Sequence, residues 1–446
     1  MNALVVPQAI VDEMFALFDA APLESAGVLF CYQARGKQSV KLLAQEFVAY
    51  ADCDYIERQS DRIAIDPIAV NDRIQSARRA GLSIVQVHTH PFSDDGAFSD
   101  ADTRGEQEML PVIFRRVPGT LHGTLVLGRK TSAARIYTSA RAWAPARIVT
   151  VGKNLRRLDF ISGRDEDRYA RSYRALGKDA QVAMQETHVG IVGLGGLGSQ
   201  VAEQLAYLGV QNVVMLDHDT LEESNLNRVV GALPEDIGES KVDVAAARYR
   251  SILPGAHIDP IVGSALDEEY ARSLVDCDLI FCCTDNHGSR AVLNWIAYQY
   301  LIPVIDTGVE IAVDKLGAVS AIAGRVQLLG TGMPCLHCCE SLNMKQVRED
   351  LLSKEERERD QYIVGGDIPQ PAVVTLNGVV ASVGTTMFLG MTTSLPIQAR
   401  MQMFNGITGQ IRPAESSVKE GCPVCSNVST VVGRGDSVAA IWRKKT

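Results

Sequence analysis

From Val189 to Asp219 the chain reads VGIVGLGGLGSQVAEQLAYLGVQNVVMLDHD: a buried strand, a glycine turn, a helix and a second strand ending in acid. No other stretch restricts the fold as strongly, because this order is the sequence form of a nucleotide-binding βαβ half-unit. Gly193, Gly195 and Gly198 occupy the G-x-G-x-x-G positions, with Gly196 between them. Glycines there let backbone approach phosphate and helix pack on strand, while the helix N-terminus presents N–H groups to an anion. Phosphate is the expected ligand. Asp217 ends the second strand nineteen residues past Gly198, placed to hydrogen-bond a ribose hydroxyl. Asp219 joins the same expected nucleotide lining.

A nicotinamide dehydrogenase would share that much, so the polar residues that follow carry the distinction. Asn225 and Arg228 come in SNLNR, Lys241 in GESK, and Asp285 in CCTDN after the apolar strand Asp278 to Cys283. Adenylyl transfer needs cations on the developing phosphate charge and a carboxylate to hold magnesium. Together these motifs resemble the ThiF-type, ubiquitin-activating adenylyltransferase family. The resemblance implies ATP and Mg2+, with Lys241 and Arg228 offsetting charge, Asp285 on the metal and Asp217 on the ribose. It also implies that Arg171, in Arg168-Tyr169-Ala170-Arg171, reaches as an arginine finger into the site of a partner subunit, and hence a homodimer. A solvated helix face is the plainer reading of those arginines.

At 446 residues the chain has room for two or three domains with cores of their own. Its net charge of −9 and the lack of any basic block make nucleic acid an unexpected partner. The N-terminus MNALVVPQAIVDEMFALFDAAP is amphipathic without a basic n-region, so no signal peptide is expected, and the longest apolar run, near Ala372 to Leu389, is broken by Asn, Gly, Ser and Thr. Ten cysteines without a secretory signal then point to metal, not disulfides. The expectation is a cytoplasmic protein that does not enter membranes.

The first 140 residues read as a separate α/β module: a helix over 7–20, strands over 25–32 and 40–49, and a helix over 66–80 ended by Gly81. A strand over 82–90 follows, and two closing strands lie over 121–127 and 135–138. Its chemistry lies in QVHTHPFSDDGAFSDAD. His88 and His90, two apart on a strand, share a face, and Asp102 falls in the first turn of a helix that Ser99 caps. Two nitrogens and one carboxylate, with an open fourth position, are the donor set of a catalytic zinc. Glu24, in PLESAGVLF, is the candidate proton acceptor. Ser99-x-x-Asp102 taken alone is equally an ordinary capping box. The combination of upstream Glu, His-x-His-Pro and Ser-x-x-Asp resembles the JAMM (JAB/MPN) metallopeptidase pattern, with eight residues between His90 and Ser99, one more than in its commonest form. That resemblance implies that Ser99 steadies an oxyanion and that the bond cut lies after a ubiquitin-like C-terminus.

A linker is expected over 141–163, an adenylyltransferase domain over 164–430 and an uninformative tail over 431–446. Repeated β-then-α with apolar strands means a mainly parallel, Rossmann-like sheet covered on both faces. Cys335, Cys338, Cys422 and Cys425 form two Cys-x-x-Cys pairs, the donor set of a closed, structural zinc site; His337 and Cys339 are read as neighbours. Family members that make a thioester carry a cysteine in a crossover loop, and here Gly365, Gly366, Asp367, Ile368 and Pro369 stand there instead. Cys339 is the nearest alternative nucleophile.

The chain is therefore read as an α/β fusion of a JAMM domain with a Rossmann-like, ATP-binding domain carrying a four-cysteine zinc site. The expected function is adenylation of the C-terminal carboxylate of a ubiquitin-like or sulfur-carrier protein, coupled to cleavage at that same C-terminus. A conjugating-enzyme-like protein is a further expected partner. Such fusions resemble components of bacterial operons proposed for antiviral defence. Sulfur-carrier activation for cofactor or amino-acid synthesis, and a non-catalytic scaffold holding a ubiquitin-like tail, remain open alternatives.

Overall fold

A computed structural model describes residues 2–18, 23–159, 167–314, 316–352, 371–426 and 428–443. The chain divides into two units, residues 1–162 with 433–439 and residues 163–432 with 440–446. The tail expected to carry no information thus supplies a piece to each.

The first unit runs β1 (Ala3–Pro7), α1 (Gln8–Phe15), β2 (Ala26–Arg35), β3 (Val40–Ala49), β4 (Tyr55–Arg58), β5 (Ile63–Ile65), α2 (Pro67–Ala80), β6 (Ser83–Thr89), α3 (Asp100–Arg116), β7 (His122–Leu127), β8 (Ser132–Ser139), β9 (Ala142–Val151) and β10 (Leu155–Arg157). Asp66 caps α2 by accepting from the Ile68 N–H, and Gly81 closes it at φ 67°, a left-handed conformation that glycine adopts without penalty.

The expected linker is corrected here. Residues 142–151 and 155–157 are strands of the main sheet, and β1, unrecognised in the sequence, pairs in parallel with both β3 and β9. The pairing closes β1, β3, β2, β6, β7, β8 and β9 into a ring and leaves β10 beside β9, which removes the exposed edges that an open sheet would carry. The partner of Ile148–Val151 lies more than 140 residues away in sequence, so no local pattern announces it.

One face of this sheet packs α1 through Leu4, Leu29, Leu42, Val85 and Val87. The other packs α2 and α3 through Val28, Phe30, Ile74, Ile84, Leu110 and Ile113. Strand parity then assigns His88 to the side that carries α3.

The second unit runs α4 (Ala170–Leu176), α5 (Lys178–Gln185), β11 (His188–Val192), α6 (Gly198–Leu208), β12 (Asn212–Asp217), α7 (Lys241–Ile252), β13 (His257–Val262), α8 (Glu268–Ala271), β14 (Leu279–Cys282), α9 (His287–Gln299), β15 (Val304–Val313), β16 (Val319–Leu329), α10 (Met344–Leu351), α11 (Val374–Thr392), β17 (Met401–Asn405) and β18 (Gln410–Pro413). Strand order is β13-β12-β11-β14-β15-β16-β17-β18. The first five are parallel, and the chain reverses direction across the sheet between β11 and β14. Crevices at the carboxyl ends of strands flanking such a switch are where ligands bind.

The last three strands add antiparallel pairings, so the sheet is mixed. β17 and β18 form a hairpin, because Gly406 to Gly409 turns the chain, with Gly409 at φ 70°. The apolar run near 372–389 is also corrected: α11 is long and apolar enough to cross a membrane by length and composition. It packs on α6, β15 and β16, with Phe388 edge-on to Phe281. The crossover-loop positions Gly365 to Pro369 lie outside the described residues.

Candidate functional site

In the first unit, β6 and α3 bring the three expected metal ligands together. One ligand atom from each of His88, His90 and Asp102 lies within 4.8 Å of the others. His88 Nε2 is 3.0 Å and His90 Nε2 3.6 Å from the Asp102 carboxylate. Tetrahedral ligands at zinc's usual ~2.0–2.1 Å stand about 3.4 Å apart, so these separations bracket the edge of a zinc tetrahedron. His88 Nε2 is buried and its one close polar neighbour of this group is Asp102 Oδ1; a ring nitrogen and a carboxylate oxygen facing each other at this separation suit a cation held by both.

Ser99 and Asp102 form the capping box as well: Ser99 Oγ accepts from Asp102 N–H at 3.1 Å, and Asp102 Oδ2 accepts from Ser99 N–H at 2.6 Å. The two readings of that motif are compatible, because capping uses Oδ2 while Oδ1 faces His88. Burial would lift the Asp102 carboxyl, but the two histidines and the Ser99 N–H hold it well below the usual carboxylate range.

Glu24 enters from the residue pair preceding β2. Glu24 is buried, and its carboxylate lies 3.9 Å from His90 Nε2. Burial above all raises its pKa, against the pull of His88 and His90. Arg58, which sequence reasoning passed over, fixes the backbone here: its Nε donates to the Glu24 carbonyl at 3.0 Å and its Nη2 to Ser25 Oγ at 2.5 Å. Nothing in the sequence marks Arg58, since its target lies 34 residues away.

In the second unit, the glycine turn, Asp217 and Asp285 follow the carboxyl ends of adjacent strands β11, β12 and β14. Gly193 sits at φ 86°, and a Cβ on Gly198 would overlap the Gly193 carbonyl oxygen, so the turn closes only with glycine at both. Gly196 faces Asn377 Nδ2 and the Arg228 stem, while Gly195 has open space around it. Asp217, 7% exposed, accepts from Leu194 N–H at 2.5 Å and from Asp219 N–H at 2.9 Å. Its carboxylate therefore ties the glycine turn to β12, leaving only its remaining lone pairs for a ribose.

Lys241 Nζ pairs with Asp219 at 2.7 Å. Arg228 Nη1 donates to the Ser224 carbonyl at 2.5 Å. Asn225 is buried and accepts from the Glu222 N–H at 3.2 Å, which shapes the loop from within. Asp285 is exposed at the mouth beyond β14, and Arg171 is exposed on α4.

The family model described as the ThiF family matches residues 169–424, more than half of the chain. The chain belongs to the ThiF family. It is 28% identical over 269 residues to the molybdopterin-synthase adenylyltransferase of Escherichia coli (strain K12), an alignment covering 59% of this chain and 98% of that protein. It is 29% identical over 174 residues to the SAMP-activating enzyme E1 of Haloferax volcanii, covering 39% of this chain and 61% of that one. A crystal structure of E. coli MccB with ATP aligns over 60% of this chain and 76% of its own, with 19% identity and a TM-score of 0.46.

Two further features of this ThiF-family unit bear on its site. Cys335, Cys338, Cys422 and Cys425 converge, their sulfurs within 4.8 Å of one another. Sγ–Sγ separations are 3.7 Å for Cys335–Cys422 and 3.4 Å for Cys338–Cys425, close to the roughly 3.8 Å edge of a zinc–thiolate tetrahedron. Hydrogen bonding from Cys425 foremost draws the Cys335 thiol below the ordinary thiol range. Cys339 lies outside the group and bonds instead with Gln327 and Ser416. Replacing Cys422 with Ser should lower the zinc content of purified protein by one ion per chain, measured by elemental analysis; unchanged zinc would reject a closed four-thiolate site.

The second feature is a cluster that the sequence reading missed. Asp306 on β15 is fully buried, with Arg290 Nη1 at 3.1 Å and Arg325 Nη2 at 2.6 Å. Arg290 also donates to the carbonyls of Thr284 and Thr307, both at 3.0 Å, which braces the segment leading into Asp285. The signal was present: an acid inside the apolar strand IPVIDTG requires a buried cation.

Proposed function

We propose that the second unit adenylates the C-terminal carboxylate of a small ubiquitin-like or sulfur-carrier protein. In the same reading, the first unit hydrolyses a peptide or isopeptide bond at such a C-terminus, as a JAMM-type zinc peptidase. What carries the first half is the ThiF-family match over a site where glycine turn, Lys241 and Asp285 line the carboxyl ends of neighbouring strands. The names of the relatives, a molybdopterin-synthase adenylyltransferase and a SAMP-activating enzyme E1, support the choice of substrate class. The second half rests on the convergence of His88, His90 and Asp102 beside Glu24.

In the adenylation step the partner's carboxylate oxygen attacks the α-phosphorus of ATP. The new O–P bond forms as the bond to the β-phosphate oxygen breaks, and pyrophosphate leaves with the displaced charge. Backbone N–H groups of the glycine turn receive the phosphates, and Lys241 and Arg228 offset the charge that develops. Asp285 would hold magnesium, which would supply positive charge against the phosphates. In a homodimer, Arg171 would add its charge to the site of the second copy. With no cysteine at Gly365 to Pro369, the acyl-adenylate itself is the product passed on.

In the hydrolytic step, zinc held by His88, His90 and Asp102 would supply Lewis acidity that activates water and polarises the scissile carbonyl. Glu24 accepts the proton of the attacking water and returns it to the leaving amine. The Ser99 hydroxyl, at the mouth of α3, donates to the oxyanion.

The Asp285→Ala variant tests the adenylation reading. Asp285 is exposed, so the fold should survive, while pyrophosphate exchange driven by a carrier protein ending in Gly should fall by about 10²–10³-fold, as when one electrostatic stabiliser of a transition state is removed. Exchange at the wild-type rate would reject Asp285 in that role.

A further inference from the structure

We infer that Arg135, on β8, is a positioning residue for the proposed metal centre, acting by holding the first turn of α3 so that Asp102 meets His88 and His90. The inference rests on the metal reading of the first unit. It begins from an imbalance in α3: the buried residues of that helix are Glu106, Leu110 and Ile113. Its apolar anchors, Met109, Leu110 and Ile113, therefore start seven residues past Asp102, about 10 Å along the axis at ~1.5 Å per residue. None of the first-turn residues 100–103 is among the core residues of this unit.

A polar clamp holds that turn instead. Arg135 Nη1 donates to Glu106 Oε2 at 2.5 Å and to Thr103 Oγ1 at 3.3 Å, and Tyr137 OH donates to the same Glu106 oxygen at 2.8 Å. Glu106, 5% exposed, leaves its Oε1 buried without a hydrogen bond, so the carboxylate depends on these two donors. Thr103 Oγ1 donates in turn to the Ser99 carbonyl at 3.1 Å.

The guanidinium lies between two rings, 3.9 Å from the Phe98 centroid and 4.3 Å from that of Trp143. Phe98 immediately precedes the cap Ser99. Asp102 and Glu106 are four apart and share one helix face, so fixing Glu106 fixes the azimuth of Asp102. The other end of the clamp is rigid: Arg135 pairs with Thr124 on β7, and β7 pairs with His88 on β6 through Val126. One side chain thus references the carboxylate ligand to the strand that carries the histidines.

The test is zinc binding by the full chain, which carries an internal control in the four-cysteine site. Wild type should bind two zinc ions, one of them released by His88→Ala. In the Arg135→Met, Glu106→Gln double variant, which removes both charges together, zinc affinity at the histidine site should fall by about 10–100-fold, the usual cost of losing a support behind a metal ligand. Affinity at the cysteine site should not change, and the visible spectrum of cobalt bound at the histidine site should change with the loss of one oxygen ligand. Wild-type affinity and spectrum in the double variant would overturn the inference while leaving the metal centre standing. One zinc in wild type, unaffected by His88→Ala, would overturn the metal centre and the inference with it. Should the double variant lose its near-ultraviolet dichroism, Arg135→Lys replaces it: the charge remains, the fork to Thr103 and the flat contact with two rings are lost, and weaker zinc binding is again required.

Discussion

Glu24→Gln should leave zinc on the protein and lower hydrolysis at a ubiquitin-like C-terminus by about 10²–10⁴-fold, the usual contribution of a positioned general base. The two effects separate because Glu24 is not in the ligand group of His88, His90 and Asp102 but stands 3.9 Å from His90. Glutamine keeps the shape of the side chain and cannot accept the proton. Burial already raises the Glu24 pKa above the ordinary carboxylate value, which moves it toward the range where a carboxylate both takes and returns a proton. The measurement is mass spectrometry of a ubiquitin-like protein bearing a C-terminal extension, with zinc content determined on the same sample. Cleavage at the wild-type rate would remove Glu24 from the reaction.

Asp306→Ala should destabilise the ThiF-family unit by about 3–5 kcal/mol, because it leaves two guanidiniums facing an interior position without their counter-charge. At roughly 2–4 °C per kcal/mol for a unit this large, calorimetric melting falls by about 6–20 °C. Asp306→Asn keeps hydrogen-bond acceptance without the charge and should fall between the two. Adenylation should weaken in both, since Arg290 also holds the carbonyl of Thr284, the residue before Asp285. A melting change below about 2 °C would mean that water, not Asp306, solvates those arginines.

Most of the nucleotide site was legible because its determinants are local. Gly193 and Gly198 are required by a backbone approach within six residues, and Asp217 ends the strand that follows. The cysteine pairs and the His-x-His-Pro segment were legible for a related reason: few other donor sets suit a metal, and each half of the set is contiguous. The same locality made α2 readable from Asp66 to Gly81.

Tertiary structure decided what depends on distant partners. The segment 142–157 holds three Ala and three Arg among its residues and resembles a linker until β1 pairs with β9 and closes the ring. The backbone at Glu24 is set by Arg58, and α3 by Arg135, through side chains whose targets are about 30 residues away. Asp217 was expected at the ribose, and only the folded turn revealed that its oxygens already receive two backbone N–H groups. In each case the sequence by itself determined which chemical groups are present and which element carries them. Which group each one meets was decided by packing, because burial makes an unsatisfied polar atom costly and the chain satisfies it with whatever the fold brings near.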